Sequence, residues 1–330
     1  MERQFGKITG CSLLLVSLSF ILITGAAASD MSVELAAGYD DNVSLSSTAE
    51  GSAFGSYQIK FYHQFLPDLL SADCDIFIDG SYQDYFSMGD NYELRPGISL
   101  TFPLSNGRLV PGIMAEVLIY RDDFIKEDDR DEIMAGVQLE WLTTARVSLG
   151  FHHIWAWLDY TEPVILQTVR PSSGPGKGRG MPGGPHHQEH DDTHQHTSSS
   201  RDDHLRSTGI QGMLFFTPEI QGHISLEYNR LDSSIETESY RQNSGILSLL
   251  WAPGDLWEIS ATTFWKRAKY DQDIENTDRT DTICNAGLGI SCFIDKFEFF
   301  FHVGRTENDS SLDIESYCQT VTQCGLIFSF

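Results

Sequence analysis

The sequence predicts an all-β fold: a transmembrane antiparallel up-and-down β-barrel of about fourteen strands, with long loops at one end. Three observations predict it. Runs of about ten residues alternate apolar and polar side chains, the period of a strand with two different faces. The breaks between these runs are alternately short and long. The final run stops on an aromatic residue, with Leu326, Phe328 and Phe330 on one face and Gly325, Ile327 and Ser329 on the other.

Ahead of the first run stands a targeting segment, residues 1–28. Arg3 and Lys7 precede the apolar stretch SLLLVSLSFILIT, which is followed by Gly25-Ala26-Ala27-Ala28. Ala26 and Ala28 satisfy the small-x-small cleavage rule, so the mature chain is expected to begin at Ser29 and to form one barrel over 29–330. No later apolar run approaches the roughly 20 residues of a membrane helix, so any crossing must be made by strands. The formal net charge is −25, and the leader contributes none of that negative charge. A chain this acidic is no nucleic-acid binder, which needs basic surface.

The strands are read in order at 31–40, 53–63, 73–85, 92–102, 108–121, 132–142, 145–160, 207–217, 221–231, 240–251, 255–270, 281–292, 295–306 and 316–330. In the first, Val33, Leu35, Ala37 and Tyr39 share a face against Glu34 and Gly38. Further on, Cys74, Ile76 and Ile78 oppose Asp75, Phe77 and Asp79, and Ile133, Ala135, Val137, Leu139 and Trp141 oppose Gly136, Gln138 and Glu140. Trp257, Ile259 and Ala261 oppose Glu258 and Ser260, and Phe297, Phe299 and Phe301 oppose Glu298 and His302. Short breaks fall near Pro67, Asn106, Thr143, Pro218, Pro253 and Asp295; long ones fall at 41–52, 86–91, 122–131, 161–206, 232–239, 271–280 and 307–315. Six short and seven long breaks join fourteen strands and leave both termini at the short-turn end. A soluble sandwich would alternate too, but would pack Phe297, Phe299 and Phe301 inward.

With its export leader, aromatic strand ends and terminal Phe330, the chain resembles the porin-like β-barrels of Gram-negative outer membranes along its mature length. That resemblance implies residence in the outer membrane. It also implies contact with membrane lipid and lipopolysaccharide, and recognition of the Phe330 strand by the barrel assembly machinery. Ala37-Gly38-Tyr39-Asp40-Asp41-Asn42-Val43 is similar to the opening of the barrel half of surface lipoprotein assembly modifiers. This second resemblance covers one strand and its loop, and implies an export or assembly role as the alternative to a channel. The helical-repeat domain of that family has no counterpart ahead of the first strand.

Alternation assigns the inner face. Its acidic side chains include Glu34, Asp40, Asp75, Asp79, Glu93, Glu116, Glu140, Glu227, Glu258 and Glu298; its basic ones are Lys60, Arg95, Arg146 and Lys266. The excess of carboxylates predicts a lumen that leans toward cations, because a low-dielectric wall focuses the field. The same charges can also brace the wall through cross-lumen pairs. Cys74, Cys284, Cys292, Cys318 and Cys324 fall on the apolar face and are expected to be free thiols facing lipid.

Residues 161–206 form one long break whose stretch 171–204 is rich in Gly, Pro, Ser and His and almost free of apolar side chains, so a disordered loop outside the cell is expected there. His186, His187, His190, His194 and His196 alternate with Glu189, Asp191 and Asp192. Neutral imidazoles beside carboxylates suit weak capture of Zn²⁺, Ni²⁺ or Cu²⁺, or simply a loop that gains charge as pH falls. No other cofactor is expected. The acidic stretch 121–132 reads as a solvated loop or as ligands for Ca²⁺ or Mg²⁺. A catalytic centre is not expected: only His152 of the His152-His153 pair falls on the inner face, and no nucleophile is placed beside it.

Overall fold

The computed structural model describes residues 29–45, 49–65, 72–123, 126–161, 164–166, 197–199, 201–271, 279–312 and 315–330. The leader, 1–28, lies outside these residues, as do all five histidines of the proposed metal loop.

Among the described residues sixteen strands form: β1 (Ser29–Asp40), β2 (Ser52–Phe65), β3 (Asp73–Tyr85), β4 (Gly89–Thr101), β5 (Leu109–Asp122), β6 (Arg130–Thr144), β7 (Val147–Tyr160), β8 (Val164–Leu166), β9 (Thr197–Ser199), β10 (Asp202–Thr217), β11 (Ile220–Ser233), β12 (Tyr240–Trp251), β13 (Trp257–Tyr270), β14 (Thr280–Ile294), β15 (Phe297–Ser310) and β16 (Tyr317–Ser329). Fourteen of them close into one antiparallel barrel in chain order; β8 and β9 pair only with each other. β1 and β16 complete the ring from Ser32↔Ser329 to Asp40↔Val321. Closure leaves no unpaired edge, the condition for strands in hydrocarbon.

Every strand is built on the same rule. Odd positions of β1 such as Leu35 and Tyr39 are about half exposed, whereas Asp40 between them and the loop is 2% exposed. Ile133, Leu247, Leu288 and Phe299 are likewise half exposed on the outer wall. Phe297 and Phe301 join them there, which excludes a sandwich core. An apolar surface this continuous cannot face water without aggregating, so it calls for lipid. Trp141, Trp251 and Trp257 mark the turn end of that surface, while Tyr39, Tyr92 and Tyr228 mark its loop end.

The turns differ in detail from expectation. Phe86-Ser87-Met88 alone connects β3 to β4, so this predicted long break is short. β6 and β7 are joined by Ala145-Arg146, after a register shift between Leu142 and Thr144. Arg146 is therefore an exposed turn residue and not a lumen side chain; the shift uses the positions that alternation had assigned to the next strand. Its carbonyl accepts from the Phe215 N–H at 2.9 Å. In the β4–β5 turn, Ser105, Asn106 and Gly107 all take positive φ, a conformation that short polar residues and glycine tolerate.

The 161–206 segment is also revised. β10 begins at Asp202, so His204 and Arg206 belong to the barrel wall, and Val164–Leu166 pairs with Thr197–Ser199. Residues 167–196 lie outside those described. The five cysteines are free; Cys284, Cys318 and Cys324 are exposed, and Cys74 and Cys292 intermediate. Cys284 pairs with Glu307, which pairs with Cys318. Two strand spacings of about 4.8 Å each put those thiols beyond bridging distance.

The opening motif closes the barrel. The Asn42 side chain donates to the Cys318 carbonyl at 3.0 Å, and Gln319 donates to Asp40 at 2.8 Å. The Asp41 N–H reaches the Thr320 carbonyl at 3.1 Å, and the Asp41 carboxylate accepts from the Thr320 N–H at 2.5 Å. Asp40-Asp41-Asn42 thus clasps the first strand to the last.

Candidate functional site

The inner face of the barrel carries the polar chemistry. Its densest group is on β2–β5. Asp79 accepts from Gln58 at 3.0 Å, and stands opposite both Lys60 and Arg95 in the strand register. Arg95 bonds Glu93 at 2.8 Å and lies 3.2 Å from Glu116, whose side chain is 8% exposed. The β4–β5 ladder is interrupted at Arg95 and Pro96, where proline offers no N–H. Asp75, lower on the same face, accepts from Tyr62 and from Ser99 at 3.3 Å.

A second group spans β7, β10 and β11. His152 Nε2 lies 3.3 Å from Glu227, and Asn229 donates to the other Glu227 oxygen at 2.6 Å. His153, the next residue, faces outward, 2.6 Å from the Thr208 hydroxyl. The adjacent histidines therefore sit on opposite sides of the wall and cannot share a site.

The remaining predicted side chains are dispersed. Glu34 accepts a long 3.5 Å contact from Gln323, and Glu298 accepts from Ser291 at 2.6 Å. Glu258 and Lys266 face inward on β13, half-buried and separated by four rungs. Glu140 follows inward parity but lies exposed at the turn-end mouth. The lumen residues thus form a lining and not a single converging centre.

Alternation alone did not reveal a tightly packed belt at the loop end. Arg130, Arg201 and Arg279 stand over Tyr120, Tyr160 and Tyr270 at 5.0, 4.2 and 4.2 Å. Each arginine also binds the carboxylate two residues on: Glu132 at 2.6 Å, Asp203 at 2.8 Å and Asp281 at 2.9 Å. Cation–π contact and a charge-assisted bond together hold each guanidinium in place. Tyr240 on β12 joins this belt through an edge contact with Tyr270 on β13, ring centroids 5.6 Å apart. The signal was present in the sequence as tyrosine, break, then arginine-x-acid, three times over.

Several lining oxygens are buried without a hydrogen-bond partner: Asp203 Oδ1, Ser207 Oγ, Asn229 Oδ1, Asn308 Oδ1, and Glu116 Oε1, which has only its ion pair with Arg95 at 3.2 Å. Four of these are pure acceptors, so the lining offers lone pairs to donors and cations. In the acidic stretch before β6, Lys126 bonds Asp123 at 2.6 Å, Arg121 bonds Asp131 at 2.8 Å, and Asp129 accepts from the Asp122 N–H at 2.6 Å. These acids are held by neighbouring protein groups. Among the described residues no group of three or more His, Cys, Asp or Glu is arranged to hold a metal ion.

No family model matches the chain, and no curated protein matches it. Solved structures do. OmpT of Vibrio cholerae, an outer-membrane protein, superposes with a TM-score of 0.53 at 7% identity, over 93% of this chain and 99% of that one. An anion-selective porin from Comamonas acidovorans superposes with a TM-score of 0.51 at 10% identity, over 92% of this chain and 99% of that one. Identity this low establishes a shared fold. The structure is a closed fourteen-stranded barrel whose structural neighbours are outer-membrane porins and barrels.

Proposed function

We propose that this protein is a porin-like channel of the outer membrane that passes small hydrophilic solutes and favours cations. The observation that carries the reading is the inner lining itself. Glu34, Asp75, Asp79, Glu93, Glu116, Glu227, Glu258 and Glu298 face Lys60, Arg95 and Lys266 there, and the orphaned buried oxygens add acceptors. Carboxylates in a low-dielectric wall raise the local cation concentration. The Comamonas barrel that shares this fold is anion-selective, so the fold by itself does not assign cation preference and the lining must carry it.

In this reading the long loops face the outside, the termini face the periplasm, and the leader directs export. An export or assembly role finds no separate support, because the polar residues of the opening motif already serve the β1–β16 seam. The test is single-channel recording of purified protein in a planar bilayer under a salt gradient. Discrete conductance with a cation-selective reversal potential is expected, weakening as salt screens the lumen. Removing Glu227, Glu258 and Glu298 as glutamines should move that potential toward zero. Silence, or anion selectivity, overturns the proposal.

A further inference from the structure

On the outer wall of an acidic protein, basic residues line up. Arg206 pairs with Arg230 across β10 and β11, Arg230 with Arg241 across β11 and β12, and Arg241 with Lys269 across β12 and β13. Arg267, on the same face of β13, stands opposite Asn243. All five have outward parity, and the Arg206, Arg230 and Arg241 side chains are 56%, 40% and 56% exposed. Like charges placed directly opposite one another destabilise a sheet. Here three successive cross-strand pairs are of like charge.

Their position along the wall is also shared. Arg206, Arg230, Arg241 and Arg267 each lie ten positions along the strand from a large apolar residue at the turn end: Phe216, Ile220, Trp251 and Trp257 respectively. A strand tilted by about 40° rises roughly 26 Å over ten residues, the height of the apolar band in membrane barrels. The guanidinium groups therefore meet the loop-side boundary of the hydrocarbon together. Below them, past a rung of Thr208, Tyr228 and Asn243, the wall is apolar, with Ile210, Leu226, Leu247 and Trp265 exposed. The neighbouring strand differs: β7 sets Trp155 opposite Arg206, so the basic row stops at the β7–β10 junction.

Acidic neighbours offset only part of this charge, and they sit toward the loops. Asp232 is shared by Arg206 and Arg230 at 2.8 Å from each, and Asp271 lies 3.5 Å from Arg241. Asp159 and Asp202 occupy the same upper layer. The order from membrane to loop is thus apolar, basic, acidic.

We propose that the outer wall of β10–β13 is a binding surface for a phosphorylated membrane lipid of the loop-side leaflet. Its phosphates lie on the Arg206–Arg230–Arg241–Arg267 row, and its acyl chains lie on the apolar wall below. The occupant is a lipid and not free phosphate, because the basic row is continuous with a surface that only acyl chains cover. The inference rests on the membrane placement proposed above but not on channel activity. Near a membrane surface each basic residue contributes to anionic lipid binding, so the row acts additively.

The test uses full-length mature protein in phosphatidylcholine nanodiscs doped with bisphosphorylated lipid A or with its dephosphorylated form. Native mass spectrometry reads retained lipid. The wild type should retain the phosphorylated form preferentially, and R206Q/R230Q/R241Q/R267Q should lose that preference by about tenfold or more. Arg121→Gln, an outward arginine on β5, should retain it. If the fourfold variant does not fold, the paired variants R206Q/R230Q and R241Q/R267Q carry the test, each expected to lose part of the preference. Equal retention by wild type and variants overturns the proposal, as does equal loss with Arg121→Gln. Loss of a dimer on substitution overturns it too, by assigning the face to a second copy of the chain. Bilayer conductance on the same samples separates the two proposals: a variant that conducts normally but loses the lipid supports the lipid site and leaves the channel reading intact. A wild type that does not insert overturns both.

Discussion

His152 on β7 reaches Glu227 on β11 across the intervening strand, at 3.3 Å, because the residue between them is Gly209. Gly209 pairs with both, and a Cβ built there would lie 2.3 Å from the imidazole. The glycine is a space for the ring, and the ring covers the bare backbone. Gly38 under Phe54, Gly97 under Phe77 and Gly325 under Phe300 repeat the arrangement elsewhere on the inner face.

Gly209→Ala should therefore displace His152 and destabilise the barrel by about 1–3 kcal/mol, as overpacking does. Reversible urea unfolding in lipid vesicles measures this. The double variant H152A/G209A should recover part of the loss, because the clash needs both side chains. Additive losses would mean that the ring does not occupy the space over Gly209.

Arg95 holds two carboxylates, and the one on Glu116 is nearly buried. Arg95→Met should destabilise by about 1–2 kcal/mol, less than for a fully buried pair because Arg95 itself is 39% exposed. It should also shift the reversal potential further toward cations, since a lumen positive charge is lost. Adding Glu116→Gln should restore stability and reverse the shift. A stability loss with no change of selectivity would place this group off the ion path.

The seam depends on Asn42, which is 1% exposed and donates to the Cys318 carbonyl. Asn42→Ala should cost about 1–3 kcal/mol by leaving that carbonyl without its side-chain donor. Cold gel mobility should show more unfolded or open protein for Asn42→Ala than for Ser44→Ala in the same loop. Indistinguishable mobility and melting would remove the clasp as a stabilising device.

β7 and β10 pair from Asp159↔Asp202 down to Leu214↔Val147, a ladder that does not involve the histidine-rich segment. Deleting 167–196 should leave the barrel folded and conducting, whereas a deletion extended through Arg206 should not, because it removes the start of β10. Calorimetry with Zn²⁺ on intact and shortened protein checks the metal reading of His186, His187, His190, His194 and His196. Heat is expected only from the intact chain, and it should vanish as the imidazoles protonate.

The sequence by itself determined the barrel and the facing of nearly every side chain. A period of two ties each residue to one side of a sheet, so Glu116, Glu227 and Glu298 could be placed inside and Cys284 and Phe299 outside before any pairing was known. Parity says nothing of where a strand begins or ends: Arg146 falls in the β6–β7 turn, Glu140 at the exposed mouth, and Asp202–Arg206 in a strand whose start the composition hides. What alternation does not contain is which residue stands opposite which. That depends on bulges, turn geometry and the stagger needed to close the ring. Only the tertiary structure could bring His152 to Glu227 over Gly209, clasp Asn42 to Cys318, and align Arg206, Arg230, Arg241 and Lys269 in one row. Each of these residues is unremarkable within its own strand. Their chemistry arises across strands, and closure sets the register that aligns them.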